Sequence, residues 1–241
     1  MRLVLLTLAA LQFPVSGFAR ITGIGTPIED IATRGSNLPP ETPMGYAFGI
    51  WFVIFSLSVI YSWRLPSPLS FTKQTLQIGG IFLASSLWML TAQIFGDGWH
   101  LVFLIIAMWF FSMQSFLATK NQNTDMITKA MLGLYAGWLS VAIFLNITST
   151  TAGSFGTFGF SDTAYALFSL LPAAALALAT LFRSKGDLWY AGAVLWALHA
   201  VFVANIWRVE NVTIATISGV LFVLILAVSA FLAKRRKKAT G

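Results

Sequence analysis

Side chains able to do chemistry are scarce in this chain of 241 residues: two histidines, eight acidic residues and no cysteine. Hydrolytic or metal chemistry needs paired carboxylates or histidine clusters at close spacing. Glu29, Asp30 and Glu41 share one loop, yet no histidine or metal-ligand spacing accompanies them. His199 stands alone in an apolar stretch and reads as a neutral residue hydrogen-bonding between helices. Without cysteine, disulfides, thiolate metal sites and cysteine nucleophiles are excluded. Tryptophan is the abundant resource, with nine in the chain. Trp63, Trp99, Trp189 and Trp207 border apolar segments and fit an interfacial aromatic belt. Trp51, Trp88, Trp109, Trp138 and Trp196 lie deeper. An indole offers a broad flat face and an N–H that wants an acceptor. Five deep indoles point to an interior shaped for a flat apolar ligand, although any one of them could equally pack against lipid.

The elements that must position them follow from composition. Hydrophobic residues make up 57% and charged residues 10%, against about 25% charged in soluble domains. Mean hydropathy is +0.80. This predicts an all-α polytopic membrane protein, since the segments are continuously apolar rather than alternating as in barrel strands. Eight spans are expected: Leu3–Ala19, Gly45–Trp63, Thr75–Phe95, Trp99–Ala118, Ile127–Thr148, Thr163–Phe182, Leu188–Trp207 and Val212–Ala233. The first also looks like a signal peptide, without a clean small-x-small cleavage site.

Alternating these spans across a bilayer segregates the charge. Arg2, Arg64, Lys73, Lys120, Lys129, Arg183, Lys185 and the run 234–238 fall on one side, 12 of 15 basic residues. Arg20, Arg34 and Arg208 fall on the other, together with Glu29, Asp30, Glu41, Asp97, Asp162 and Glu210. The positive-inside rule then places both termini in the cytoplasm. The net charge of +7 is thereby an orientation signal, with the basic tail against anionic headgroups, and not a nucleic-acid footprint. No charged residue falls mid-span, which argues against an ion-coupled pump. Ser85, Ser86, Gln93, Gln114, Ser140, Asn146 and Asn205 are expected to pair across helices. Gly45-xxx-Gly49 and Gly133-xxx-Gly137 allow close helix approach, by preference within the chain, otherwise in a homodimer.

Two stretches carry a family likeness. Thr42-Pro43-Met44-Gly45-Tyr46-Ala47-Phe48-Gly49-Ile50-Trp51 resembles the Pro-Pro…Phe-Gly-x-Val-Trp segment of the TspO/MBR family, the tryptophan-rich sensory proteins related to the translocator protein. Tyr135-Ala136-Gly137-Trp138-Leu139-Ser140-Val141-Ala142-Ile143-Phe144-Leu145-Asn146 is similar to that family's Pro-Tyr-Leu-x-Trp-x-x-Phe-Ala-x-x-Leu-Asn. Ser85-Ser86-Leu87-Trp88 looks like a weaker form of its Leu-Asn-x-x-Trp. The likeness covers about residues 1–150. Departures are Phe55 for a tyrosine, Ser85 for asparagine, and three further spans, a layout that long tryptophan-rich members share.

The resemblance implies a TspO-like five-helix bundle over residues 1–150. A three-helix C-terminal extension with a basic cytoplasmic tail would follow over 151–241, joined through a linker at Thr150–Phe160 and dispensable for folding. It implies a retained first helix and, as location, a bacterial cytoplasmic membrane. It further implies a pocket lined by Trp51, Trp88, Trp138, Ala142, Leu145 and Asn146, with Pro43 anchoring a lid formed by the first loop. Trp51 and Trp138 are expected to sandwich the ligand. Family ligands are porphyrins or other heme-like tetrapyrroles, and in some members sterols. No cofactor is obligatory and no metal site is expected. Partners are the lipid bilayer and a hydrophobic small molecule, with no nucleic acid. Light-dependent porphyrin breakdown attributed to some members has no counterpart readable here. Three functions compete: a ligand-binding sensor or carrier, a membrane enzyme acting on porphyrin or lipid, and a small-solute exporter. The enzyme lacks an acid or histidine cluster. The exporter lacks detectable repeat symmetry between halves.

Overall fold

Pro14 decides how the chain begins. It removes the N–H that would bond the Ala10 carbonyl, and helix α1 (Arg2–Ser16) stops at Gly17. A short helix α2 (Phe18–Thr22) follows. The expected span Leu3–Ala19 is therefore broken. Its 15 residues cover only about 22 Å, less than the ~30 Å hydrocarbon core. The computed structural model describes residues 1–28, 30, 38–66, 72–121 and 124–240. Glu29 and Arg34, both counted above on the acidic side of the bilayer, lie outside them.

Among the described residues every regular element is helical, and seven helices are long and apolar enough to cross a membrane. They are α3 (Ile50–Arg64, entered through a 3-10 turn at Gly45–Gly49), α4 (Lys73–Phe95), α5 (Trp99–Ala118), α6 (Met126–Phe155), α7 (Asp162–Ser184), α8 (Leu188–Trp207) and α9 (Val212–Thr240). The chain is a multi-pass integral membrane protein. Phe52, Phe103 and Val220 are exposed within their spans, as lipid-facing side chains must be.

Local chemistry starts these helices where the structure has them. Thr72 and Thr75 form a capping box at α4. Ser161 caps α7. Asp125 and Asp187 accept the first amides of α6 and α8. These are the two acids on the otherwise basic side, and each also meets a cation. Arg64 lies 3.5 Å from Asp125, and Lys120 lies 2.5 Å from Asp187. The pairs bring the ends of α3 and α5 to the starts of α6 and α8, as an alternating bundle requires.

Helix α6 is the axis of the bundle. It packs against α3, α5, α7 and α8. It also runs past the expected end at Thr148 to Phe155. The stretch 150–155 contains no proline, and burial of Thr148 and Thr150 holds it helical against weak propensity. The linker is thus Gly156–Ser161, shorter than anticipated, and the expected boundary at residue 150 falls inside a helix.

Gly133 and Gly137 let α8 approach α6. A Cβ at Gly133 would sit 2.6 Å from Trp189 Cβ, and one at Gly137 would strike the Tyr190 carbonyl and lie 2.9 Å from Ala193 Cβ. Helix-interior Gly153 has open space instead. Gly137→Val should therefore lower stability by about 1–3 kcal/mol through overpacking, seen as a lower melting temperature in detergent. Gly153→Ala should hold or raise it, by up to about 1 kcal/mol. Equal, small effects at both positions would show that the close approach carries no constraint. Gly45 and Gly49 lie in the 3-10 turn and not within a helix–helix seam, with open space at Gly49.

Gln93 ties the broken N-terminus to α4. Its side chain accepts from the Ala19 amide and donates to the Val15 carbonyl. Its carbonyl accepts from Thr26 N at 2.7 Å. Gly25, at φ +86°, passes so close that a Cβ would collide with that carbonyl. Gln12 on α1 accepts from the buried Tyr135 hydroxyl of α6. Of the other polar residues expected to pair across helices, Gln114 meets Gln77 at 2.6 Å and Ser140 meets Trp109 and Tyr190. Among the described residues the Ser85 and Ser86 hydroxyls find no hydrogen-bond partner.

Candidate ligand-binding site

A stripe on α6 faces one cavity: Trp138, Val141, Ala142, Leu145, Asn146 and Ser149. This is the i, i+3, i+4 rhythm of a single helix face. The cavity measures about 420 Å³, within the range of small-molecule sites. Helix α3 contributes Trp51, α4 contributes Trp88 and Ala92, and α5 contributes Leu101 and Ile105. All seven residues expected at the pocket, Pro43, Trp51, Trp88, Trp138, Ala142, Leu145 and Asn146, border this one space.

Three details differ from the expectation. Trp51 and Trp138 do not stand apart as parallel plates. Their rings meet edge to face, 6.2 Å between centroids and 82° between planes, with Phe48 edge-on to Trp138. A flat ligand has no slot between them and must lie against this aromatic wall. Asn146 donates one N–H of its amide to the Ala142 carbonyl one turn back, leaving its second N–H and its oxygen to meet a ligand. Among the deep tryptophans, Trp109 and Trp196 are not at the cavity. Trp109 donates to Ser140 Oγ at 3.2 Å and Trp196 to the Ala47 carbonyl at 2.9 Å. Trp88, by contrast, borders the cavity, and its buried indole N–H has no partner among the described residues.

Sequence reasoning missed one wall. Helix α8 supplies Ala197 and Val201, while no residue of α1 lines the space. Their only signal was an i, i+4 spacing within a uniformly apolar helix, which does not mark one face from another.

The same helix holds the first loop over the cavity. Asn205 Nδ2 donates to the Pro40 carbonyl at 2.6 Å. Arg208 donates to the carbonyls of Thr42 at 2.7 Å and Pro43 at 3.4 Å. Met44 N donates to Ala200 O at 3.1 Å. Tyr46 Oη and His199 Nδ1 are 2.8 Å apart. With the Trp196 bond, this row fixes the backbone from Pro40 to Ala47. Leu38, Pro39, Thr42, Pro43 and Phe48 of the same loop then close one side of the cavity. His199 is thus a hydrogen-bonding residue between elements, as its isolation suggested.

At this end a second hollow of about 430 Å³ adjoins the cavity and shares Pro39, Glu41, Asp97 and Ser149 with it. Asp162 and Tyr165 line its far side. Glu41 is buried, and its Oε2 has no hydrogen-bond partner among the described residues. Burial raises the Glu41 carboxyl above its ordinary pKa, and the charge on Asp162 adds to this. No group of three or more metal-ligating side chains occurs among the described residues. The arrangement can bind and orient a molecule.

Comparison with curated proteins and with solved structures gives no match. The family of TSPO-like proteins matches residues 4–231, including the three helices beyond residue 150. With that agreement covering nearly the whole chain, and the motif residues meeting at one cavity, the protein belongs to the TSPO-like family.

Proposed function

We propose that the protein binds a flat apolar small molecule, a tetrapyrrole or a sterol-like lipid, in the tryptophan-walled cavity, and senses or carries it. The observation that supports this most is the convergence of Trp51, Trp88 and Trp138 on one space. An aromatic wall stabilises a flat ligand by burial and ring contacts. A sterol or porphyrin entering from the bilayer or from the hollow beside Glu41 would meet the wall first, with Asn146 available to its polar edge. The test is quenching of intrinsic tryptophan fluorescence by protoporphyrin, by its uncharged dimethyl ester and by a fluorescent sterol. At least one should saturate at micromolar concentration. Linear, non-saturating quenching by all three would leave only partition into detergent or lipid.

The orientation is part of the same proposal. The broken pair α1 and α2, Arg2 to Thr22 taken together, is about 31 Å long and makes the first of eight crossings, so both termini lie in the cytoplasm, supported by the 12-to-3 division of basic residues, and the membrane is a bacterial cytoplasmic membrane by family resemblance. Reporter fusions after Lys120 and after the basic tail should both read cytoplasmic. An external signal from either one removes this orientation. In this arrangement the cavity mouth, with Glu41, Asp97 and Asp162, opens away from the cytoplasm. Gly133 and Gly137 are used inside the chain, so a homodimer would form through other surfaces.

A further inference from the structure

The charge at the mouth of the cavity has one sign. Glu41 and Asp97 border both hollows and Asp162 borders the outer one, while no lysine or arginine lines either among the described residues. Glu41 is 3% exposed, its Oε2 finds no donor, and no ion pair joins it to a described residue. Arg208, the cation fastened to this loop, turns two of its nitrogens to the carbonyls of Thr42 and Pro43. A buried carboxylate without a partner is costly, and such groups normally have a counter-charge. Asp97 and Asp162 are exposed and add a negative field along the approach. A carboxylate-bearing ligand would enter against that field, and among the described residues no lysine or arginine lines either hollow to receive it.

Resting on the cavity reading above, we infer that the ligand is amphipathic. Its flat apolar body lies against Trp51, Trp88 and Trp138, and its other end is a protonated amine held by Glu41 and Asp97. The ammonium pairs with the Glu41 carboxyl, which borders both hollows, and returns it to its ionised form. The bond is then charge-assisted and sheltered from water. The raised Glu41 carboxyl is the state of the site without such a partner.

Three probes with one polycyclic body test this: pyrenemethylamine, pyrenemethanol and pyreneacetate. Each is titrated at neutral pH into the full-length protein in zwitterionic nanodiscs, with tryptophan quenching as readout and protein-free discs as the partition control. The amine should bind about tenfold more tightly than the alcohol, and the acetate more weakly than the alcohol. Glu41→Gln should shrink the amine-to-alcohol ratio to about twofold. Asp97→Asn, on an exposed residue that tolerates change, should shrink it less. Equal affinities, or tightest binding of the acetate, overturn the assignment. If the alcohol saturates and Ala142→Phe removes that saturation, the cavity reading survives such a failure. If no probe saturates, both readings fall.

Discussion

Replacing Ala142 by phenylalanine should abolish ligand binding while the protein remains folded. Ala142 sits mid-stripe on α6, half-buried and facing the cavity. A benzyl group there projects into empty space rather than into packed neighbours. Affinity for whichever flat probe saturates the wild type should fall by roughly a hundredfold or more, about 2.7 kcal/mol. The melting temperature should hold or rise, since filling a void reverses the usual cavity penalty. Trp138→Ala is a less clean companion. It should weaken binding by about 1–3 kcal/mol, but it also strips Phe48 and Trp51 of their edge-to-face partner. An Ala142→Phe protein that binds as tightly as wild type would put the ligand elsewhere.

A chain ending at Phe155 should lose both ordered assembly and binding. Helix α8 covers Gly133 and Gly137, closes the cavity through Ala197 and Val201, and makes six hydrogen bonds to the loop together with Arg208. At about 1 kcal/mol net for each bond, the loop alone forfeits roughly 6 kcal/mol. Size-exclusion chromatography should show aggregation or a broad, non-binding species. A sharp, ligand-saturable peak from this fragment would instead favour a separable five-helix unit over residues 1–150.

Much of this was legible beforehand, for physical reasons that vary by element. Spans α3 to α9 follow from apolar length, and the side-by-side placement of Trp138, Ala142 and Asn146 follows from the helical period. The break in α1 was visible as Pro14 but outweighed by the apolar run around it. The extent of α6 was obscured because Ser, Thr and Gly after residue 148 look like a loop until their burial is known. The contribution of α8 was out of reach: which face of a uniformly apolar helix meets a given neighbour is settled by tertiary packing. Glu41 was read as one of several loop acids, since burial is what separates it from Asp97, and burial is not local.

The row of bonds from α8 and Arg208 has one more consequence. Apart from Tyr46, every loop atom it grips is a main-chain carbonyl or amide. Peptide groups are common to all residue types, so the position of the cover is encoded in the helix that grips it and hardly at all in the cover's own side chains. Those side chains are free to drift or be redesigned without losing register. A library randomising Leu38, Thr42 and Phe48 would therefore sample new selectivities on a fixed frame, much as exchangeable tips on one handle.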